Sequence, residues 1–528
     1  MAHALLIKST NSDYNKEYLP INFEPLGLMY LSSFIKKYSQ HTVAIVDAQA
    51  QSPEIYPVEG GAKFRQGMKA DEIIELVRKH NPAVVGLSCL FERLEHDVID
   101  IAKAVKSYSP EIIVVLGGMD ASIRYEPYLR CGAVDLVVEG IGEETFLEIV
   151  NAVEKGAALT GMNGTIELLA DGTMRKNPDR TPTVNFDDYP FPDRNAVPRK
   201  YYDNRTNQNV SYPFAREFPA VLIQSSRGCG LRCAFCQIIS VYDKWYSHSN
   251  EYVVAEMKEC IENFGTKEFI FLDDNFMWKP RRVAEICQLI IDTKLNVSID
   301  IMTGISVWTL SETIIDTMVK AGLYRVCLPI ESGNPDTLKF IKKPVDLEKT
   351  KTMIEYCNKK GLLTFANLII GFPYETQKDI DITIDWGKTS GLDAINYFVA
   401  QPMPGARMYA IYEEKGWLYH QQQTQIGDSS WRGAGVWRTE HFTSDKLNDM
   451  AATAASKYMA SRILFFLQPR NAIRYLWPKI SSWRKLKYIT KVGFYVLFSG
   501  NRISSKQRVL DVVKLFRRKR VTVPSSTG

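Results

Sequence analysis

Short apolar runs alternate with amphipathic stretches along residues 1–440, in two successive series, and no other feature limits the fold so tightly. The first series holds "ALLI" (4–7), "VAIV" (43–46), "AVVGLS" (83–88), "IIVVLGG" (112–118) and "VDLVVEG" (134–140). Continuous β-rich runs of this kind suit strands buried on both faces of a parallel sheet. The segments between them, "LGLMYLSSFIKKY", "ADEIIELVRKH", "HDVIDIAKAVKSY" and "EETFLEIVNAVEKG", have helical spacing. The alternation predicts an α/β fold with a doubly wound, Rossmann-like parallel sheet. The second series begins with "AVLIQSS" and continues through "EFIFLDD", "VSIDIMTG", "RVCLPIESG", "FANLIIGFP" and "AINYFVAQPMPG". Six strand–helix units predict a full or partial parallel barrel, with its chemistry at the carboxyl ends of the strands. A proline-rich connector containing "DDYPFPDRNAVP" separates the two, and from about residue 440 the pattern turns helical and basic. The expected domains are therefore 1–157, a connector 158–215, a barrel 216–440 and a helical extension 441–528.

At 528 residues the chain exceeds one ordinary domain, and its 45% apolar and 24% charged residues are those of a globular protein. The start, "MAHALLIKST", lacks the basic and apolar regions of a signal peptide, and no apolar stretch reaches spanning length. A cytoplasmic protein is expected, and with it reduced thiols. Of nine cysteines, six (Cys89, Cys131, Cys260, Cys287, Cys327 and Cys357) stand singly in apolar surroundings and read as small buried hydrophobes. Charge is unevenly spread. Residues 462–528 carry 16 Lys and Arg against one acid, Asp511, so a chain of net charge +5 has a tail of +15 on a body of −10.

The remaining cysteines, Cys229, Cys233 and Cys236, lie in "SSRGCGLRCAFCQ" directly after the first barrel strand. A structural zinc site needs a fourth Cys or His nearby. Gln237 follows the third cysteine, and His248 lies outside the compact loop. Three thiolates instead suit a 4Fe–4S cluster with one iron left open for a ligand. In the first domain, Ser88, Gly117, Gly118, Gly140 and Gly142 gather at the carboxyl ends of the strands, where doubly wound sheets bind ligands. Tight turns ask for the same residues.

The C-x3-C-x2-C spacing, with Phe235 before the last cysteine, resembles the radical S-adenosylmethionine (SAM) superfamily. The order of "FLDDNF" (271–276), "IESGN" (330–334), "LIIGFPYET" (368–376) and "PMPGARMY" (402–409) matches that family's later motifs. The resemblance implies a partial (β/α)6 barrel, a cluster on the three cysteines, and SAM contacts from Phe235, Asp273, Asp274, Glu331, Ser332 and Gly371. Read without it, Asp273 and Asp274 could cap a helix and "GFP" could be a turn. The first domain resembles the cobalamin (B12)-binding domain fused to many radical SAM enzymes, through "PLGLMYLSSFIKK", "PAVVGLSCLF", "VVLGGMDAS" and "VDLVVEGIGEETF". That likeness implies cobalamin contacts from Leu26, Gly27, Ser88, Gly117, Gly118, Gly140, Gly142 and Glu143. The D-x-H-x-x-G motif, whose histidine ligates cobalt elsewhere, is missing. Cobalamin held without it, or a domain that keeps only the sheet, are both implied.

Together the two likenesses point to class B, cobalamin-dependent radical SAM methyltransferases. Within that class "EPLGLMYL", "NPAVVGLSCLF" and "IESGNPDTLKFIKKPVDLEKT" are similar to the phosphonate C-methylases of fosfomycin biosynthesis. The resemblance implies hydrogen abstraction by a 5′-deoxyadenosyl radical, methyl delivery from methylcobalamin, and a second SAM to restore that methyl. It also implies a low-potential electron donor of flavodoxin or ferredoxin type and a small-molecule or lipid-linked substrate. Cyclisation, oxidation or rearrangement begins with the same abstraction, so those activities remain as alternatives. A non-catalytic iron–sulfur sensor is a third. Trp308, Trp431 and Trp437 are candidates for substrate contact. The tail has three readings: helices that cap the barrel, a peripheral contact with anionic lipid, or a polyanion partner, with nucleic acid not expected because no binding module accompanies the charge.

Overall fold

The computed structural model describes residues 2–498, apart from 14–18, 20, 62, 204–209, 213, 243 and 420–436. Trp431 and the final basic stretch of the tail lie outside the described residues. The first domain is built on strands β1 (His3–Lys8), β2 (Thr42–Asp47), β3 (Val84–Ser88), β4 (Ile113–Gly117) and β5 (Leu136–Val138). They run parallel in the order β2-β1-β3-β4-β5. All five coincide with the apolar runs of the sequence. Helices α1 (Leu26–Tyr38), α2 (Ala70–His80), α3 (Glu95–Tyr108) and α4 (Glu143–Glu154) cover the two faces. The chain reverses direction across the sheet between β1 and β3, which opens a crevice beyond their carboxyl ends.

The expected connector is less irregular than its prolines suggest. An antiparallel hairpin, β6 (Thr165–Leu168) and β7 (Met174–Lys176), adds to β5 and widens the sheet to seven strands. The first domain thus extends to about residue 176, beyond the expected boundary at 157. Its turn, "ADGT", supplies the two-strand reversal, a signal overshadowed by the prolines that follow.

The barrel consists of β8 (Ala220–Ile223), β9 (Glu268–Phe271), β10 (Ser298–Ile301), β11 (Arg325–Glu331), β12 (Leu363–Ile370) and β13 (Ala394–Val399), all parallel. Two groups of three strands meet at a gap between β10 and β11, where a single parallel bridge joins Ile299 to Leu323. Helices α5 (Asn250–Phe264), α6 (Pro280–Asp292), α7 (Glu312–Ala321), α8 (Leu347–Lys359) and α9 (Gln377–Thr389) form the outer layer. Their starts are written locally. Ser249, Ser311, Asp346 and Thr376 each accept a backbone N–H of the following first turn.

The tail is a cap on the barrel. Helix α10 (Ser444–Phe466) lies along β13, and the Tyr458 hydroxyl donates to the Leu392 carbonyl at 2.7 Å. Helix α11 (Trp483–Phe498) closes the amino end of the barrel, with Tyr488 and Val492 buried against Tyr324 and Leu363. Several tail cations are neutralised there: Lys479 by Asp393, Arg474 by Glu355 at 2.8 Å and Arg484 by Glu217. Among the described residues no helix is long and apolar enough to cross a membrane.

The two domains share one core. Leu26, Leu28 and Tyr30 of α1 pack with Ala220 and Leu222 of β8 and Ile270 of β9. Through that apolar contact runs a buried charge cluster. Glu24 pairs with Arg194 at 3.3 Å and with Arg199, and it accepts the Leu222 N–H at 2.9 Å. Arg194 also pairs with Glu256 of α5 at 2.8 Å and donates to the Leu222 carbonyl at 2.6 Å. Removing one member of such a set strands its partner's charge in the core, at about 3–5 kcal/mol. Arg194→Leu is therefore expected to lower unfolding free energy by about that amount in urea titration. A nearby histidine sets an acid limb. His248 is 3% exposed and stacked on Tyr252 with ring centroids 3.9 Å apart. Burial, then the Arg227 charge, lowers its pKa to about 3. Its stabilisation is complete above pH ~6.5 and drains as the pH falls toward 3, about 2 kcal/mol of it by pH 5. His248→Phe should flatten the melting temperature between pH 6.5 and 5.

Candidate functional site

The cysteine loop leaves β8 at the mouth of the barrel and is tied down on every side. The Ala234 N–H donates to the Ile341 carbonyl at 3.0 Å, and the Ala234 carbonyl accepts from Met408 at 2.8 Å. The Gln237 amide donates to the Pro404 carbonyl at 2.7 Å. The motif "PMPGARMY" thus clasps the loop from the last strand. Cys233 is buried, while Cys229 and Cys236 are half-buried. Two N–H groups point at the Cys229 sulfur, from Leu231 and from the Asn275 amide, each at 3.5 Å. Among the described residues no three His, Cys, Asp or Glu side chains converge as ligands of a single ion. One zinc would draw its sulfurs to about 2.3 Å from a point. A 4Fe–4S cluster spreads its thiolates over separate irons, so the three sulfurs need not converge on one point. His248, folded into the interdomain core, supplies no fourth ligand.

Asp273 and Asp274 hold the loop rather than cap a helix; α6 begins instead at Lys279–Pro280. Asp273 is fully buried and accepts the Ser225 N–H at 2.8 Å and the hydroxyls of Ser225 and Ser226. Arg282 completes the set through the Ser225 hydroxyl at 3.1 Å and carbonyl at 3.0 Å. Asp273 thus positions the start of the loop through both of its carboxylate oxygens. Asp274 is exposed and accepts the Gly228 N–H at 2.7 Å, immediately before Cys229.

Glu331 ends β11 at a bulge with φ of 68°, a left-handed conformation that a non-glycine residue adopts only where its surroundings enforce it. Its partner is Lys343, at 3.0 Å, with both side chains 8% exposed. The Lys343 ammonium stands 5.4 Å from the Trp308 ring and 6.0 Å from the Phe235 ring. Burial raises the Cys233 and Cys236 thiols, the latter to about 11, and Lys343 opposes this in both. A cation beside two cysteines suits an anionic cluster, and a carboxylate at the mouth suits the cationic end of SAM. Lys343 was not among the sequence candidates. "FIKKP" gives no sign that one of its lysines turns inward.

Three of the expected contact residues are packed against the rest of the chain. The Ser332 hydroxyl lies 2.9 Å from the Thr383 hydroxyl on α9 and accepts the Asn334 N–H at 3.0 Å, on the helix side of the strand. Gly371, at φ 82°, faces Leu447 of α10, where a Cβ would come within 2.5 Å. Its loop still reaches the site, since the Phe372 and Phe235 rings lie 6.0 Å apart. Trp437 is fully buried in T-shaped contact with Tyr412 and lines no opening, whereas Trp308 is half-buried beside Lys343.

The lumen below Glu331 was also missed. Strand burial alternates in β11 and β12, and the less buried set faces inward: Cys327 and Pro329, then Phe365, Asn367 and Ile369. Asn367 pairs in register with Asn396, whose amide donates to the Asn367 side-chain carbonyl at 3.1 Å. Asn396 is exposed although it sits mid-strand. The barrel is therefore hollow at that level. The signal was legible as polar residues inside "FANLII" and "AINYF", in strands otherwise apolar.

The carboxyl ends of the two sheets face each other. Glu143, at the start of α4, pairs with Arg227 at 2.6 Å, two residues before Cys229. A Cβ on Gly140 would lie 3.5 Å from the Val241 carbonyl, and one on Gly405 would lie 3.0 Å from Ile123. Glu143 is thus a domain clamp, and Leu26 belongs to the shared core. The other candidates form a cradle opposite the cysteine loop. Ser88 and Gly117 end β3 and β4, Gly118 turns at φ 107°, Gly142 opens α4, and Gly27 is exposed with open space around its Cα. A Cβ on Gly118 would meet the Cys89 carbonyl at 2.3 Å, so only glycine fits there. Leu90 and Phe91, 52% and 54% exposed, project from the loop after β3. An apolar rim and a floor without side chains fit a large planar cofactor such as cobalamin.

Known proteins carry the same pair of domains. Residues 223–387 match the radical SAM superfamily and residues 19–150 the B12 binding domain. An uncharacterised methyltransferase of Pyrococcus horikoshii is 28% identical over 456 residues, covering 85% of this chain and 89% of that protein. The cytidylyl-2-hydroxyethylphosphonate methyltransferase of Streptomyces wedmorensis is 26% identical over 435 residues, 76% of this chain and 80% of its own. Among solved structures, the cobalamin-dependent SAM radical enzyme OxsB, with aqua-cobalamin and SAM bound, superposes with a TM-score of 0.69 at 15% identity, over 99% of this chain and 75% of OxsB. The radical SAM methyltransferase TsrM of Kitasatospora setae, with cobalamin and a 4Fe–4S cluster bound, gives 0.66 at 15% identity over 99% and 100%. Both share the fold across the two domains. One consequence of the loop geometry is measurable: Cys229→Ala, Cys233→Ala and Cys236→Ala should each lose the iron of anaerobically reconstituted protein, while Cys131→Ala keeps it. The chain joins a radical SAM domain to a B12-binding domain and is similar to cobalamin-dependent radical SAM methyltransferases.

Proposed function

We propose that this enzyme methylates an unactivated carbon of a small-molecule or lipid-linked metabolite, of which a phosphonate is one example. The observation that carries the reading is the mouth-to-mouth arrangement of the two sheets, clamped by Glu143 and Arg227. A carbon that is not nucleophilic has to be activated and methylated in one enclosed space, and this arrangement provides it. When bound, the cluster and SAM supply a hydrogen-abstracting radical and cobalamin supplies a transferable methyl group.

The chain's own residues position and exclude. Cys229, Cys233 and Cys236 would anchor the cluster, Glu331 would face SAM, and Lys343 keeps that carboxylate in place. Ser88, Gly117, Gly118, Gly140, Gly142 and Gly27 would floor the cobalamin cradle. Asn367 and Asn396 would grip a polar group of the substrate, above the Phe365 ring at the base of the lumen. A donor of flavodoxin or ferredoxin type would deliver the electron from outside.

Anaerobic turnover with methyl-deuterated SAM is expected to add one labelled methyl per product while two SAM are consumed. Product that gains no methyl would favour cyclisation or rearrangement instead. Lys343→Met should retain iron yet lower 5′-deoxyadenosine formation about ten- to hundredfold, the value of one charge-assisted hydrogen bond. Asn396→Leu should raise KM for substrate about tenfold or more and leave the iron content unchanged.

A further inference from the structure

A cavity lies at the opposite end of the barrel from the cysteine loop. It holds about 290 Å³ between the amino ends of β10, β11 and β12 and the tail helix α11. Its walls carry Arg216, Lys320, Lys360, Lys479, Arg484 and Lys485, and no carboxylate. Three of these are neutralised from outside the walls: Lys360 by Asp316 at 2.6 Å, Lys479 by Asp393 and Arg484 by Glu217. Arg216, Lys320 and Lys485 have no carboxylate within ion-pair distance among the described residues. Arg216 lies 4.3 Å from the Tyr324 ring and donates to the Ser298 hydroxyl at 2.8 Å, and Lys485 donates to the Pro478 carbonyl at 2.8 Å. These contacts orient both cations without pairing either one closely with a carboxylate. Burial and mutual repulsion depress both: Arg484 acts on Arg216, and Arg216 on Lys485.

Cations gathered around one chamber repel each other, and an anion seated among them would offset that repulsion. Guanidinium and ammonium groups around a small polar chamber are the recognition elements for phosphate. We propose that this cavity binds a phosphate-bearing anion, held by Arg216, Lys320 and Lys485. The site is distinct from the methyl-transfer centre, and α11 contributes Arg484, Lys485, Tyr488 and Ile489 to its walls, which gives the basic tail a purpose beyond capping. Two sources share this chemistry: a free diphosphate-bearing metabolite and the headgroup of an anionic lipid. The second draws on Trp477 and Trp483, 62% and 79% exposed, which neighbour Lys479 and Arg484 in the chain.

The test uses the full-length protein. Inorganic pyrophosphate is titrated by calorimetry, and co-sedimentation is measured with phosphatidylglycerol and with phosphatidylcholine vesicles. The Lys320→Gln/Lys485→Gln variant is run beside wild type, with Lys103→Gln, on the exposed face of α3, as control. Saturable binding that weakens about tenfold or more in the double variant, at unchanged circular dichroism and melting temperature, is the expected result. Sedimentation with phosphatidylglycerol alone, reversed by pyrophosphate, identifies the lipid headgroup; pyrophosphate binding without sedimentation identifies the free metabolite. Absence of both, or binding undiminished in the double variant, overturns the proposal. None of these readouts needs the cluster, so a negative result leaves the methyltransferase assignment standing.

Discussion

The ion pair between Glu143 and Arg227 decides how the two halves of this protein meet. Both side chains are nearly sealed from water, and Arg227 lies 5.0 Å from the Tyr30 ring and 5.8 Å from that of Phe186. A buried pair of this kind adds little net stability, because desolvation offsets its Coulomb gain. What it contributes is direction. A lone charge in that place would be intolerable, so the sheet crevice of one domain and the barrel mouth of the other have one mutual orientation. Glu24, Arg194 and Glu256 repeat the device deeper in the interface, and the shared apolar core supplies the adhesion that neither charge set provides.

From that orientation follows the order of layers through the molecule. The glycine floor of the first sheet looks across to the cysteine loop. Beneath the loop stand Glu331 and Lys343, then the Asn367–Asn396 pair, and then the Phe365 ring against Tyr488 of the tail. Each layer is supported by one behind it. Asp273 and Arg282 brace the start of the loop, and Glu375 accepts the Gly371 and Phe372 N–H groups at 2.7 and 3.0 Å to hold the strand end that carries Phe372 against Phe235.

Local patterns in the chain announced the frame and the metal-binding loop, because both are short-range properties. Apolar runs of strand length, helix caps and a three-cysteine spacing need no partner elsewhere to be recognised. Long-range choices were not legible. Glu24 and Arg194 are 170 residues apart and look like ordinary surface charges until folding buries them. Lys343 sits in a run of two lysines, and nothing in the run marks the one that turns inward. Nor did the sequence show that Ser332, Gly371 and Glu143 meet Thr383, Leu447 and Arg227. The hairpin at 165–176 was hidden by the prolines that follow it. Asn367 and Asn396 escaped because alternation in a barrel strand separates lumen from helix layer, a distinction that matters only once the barrel is known to be hollow.

Tyr488 and Val492 seal the lower end of the barrel, and that has a consequence for traffic. With its base closed, the lumen among the described residues opens toward the cysteine loop. A molecule that comes to Asn396 from that side passes between the loop and the glycine floor of the first domain on its way in.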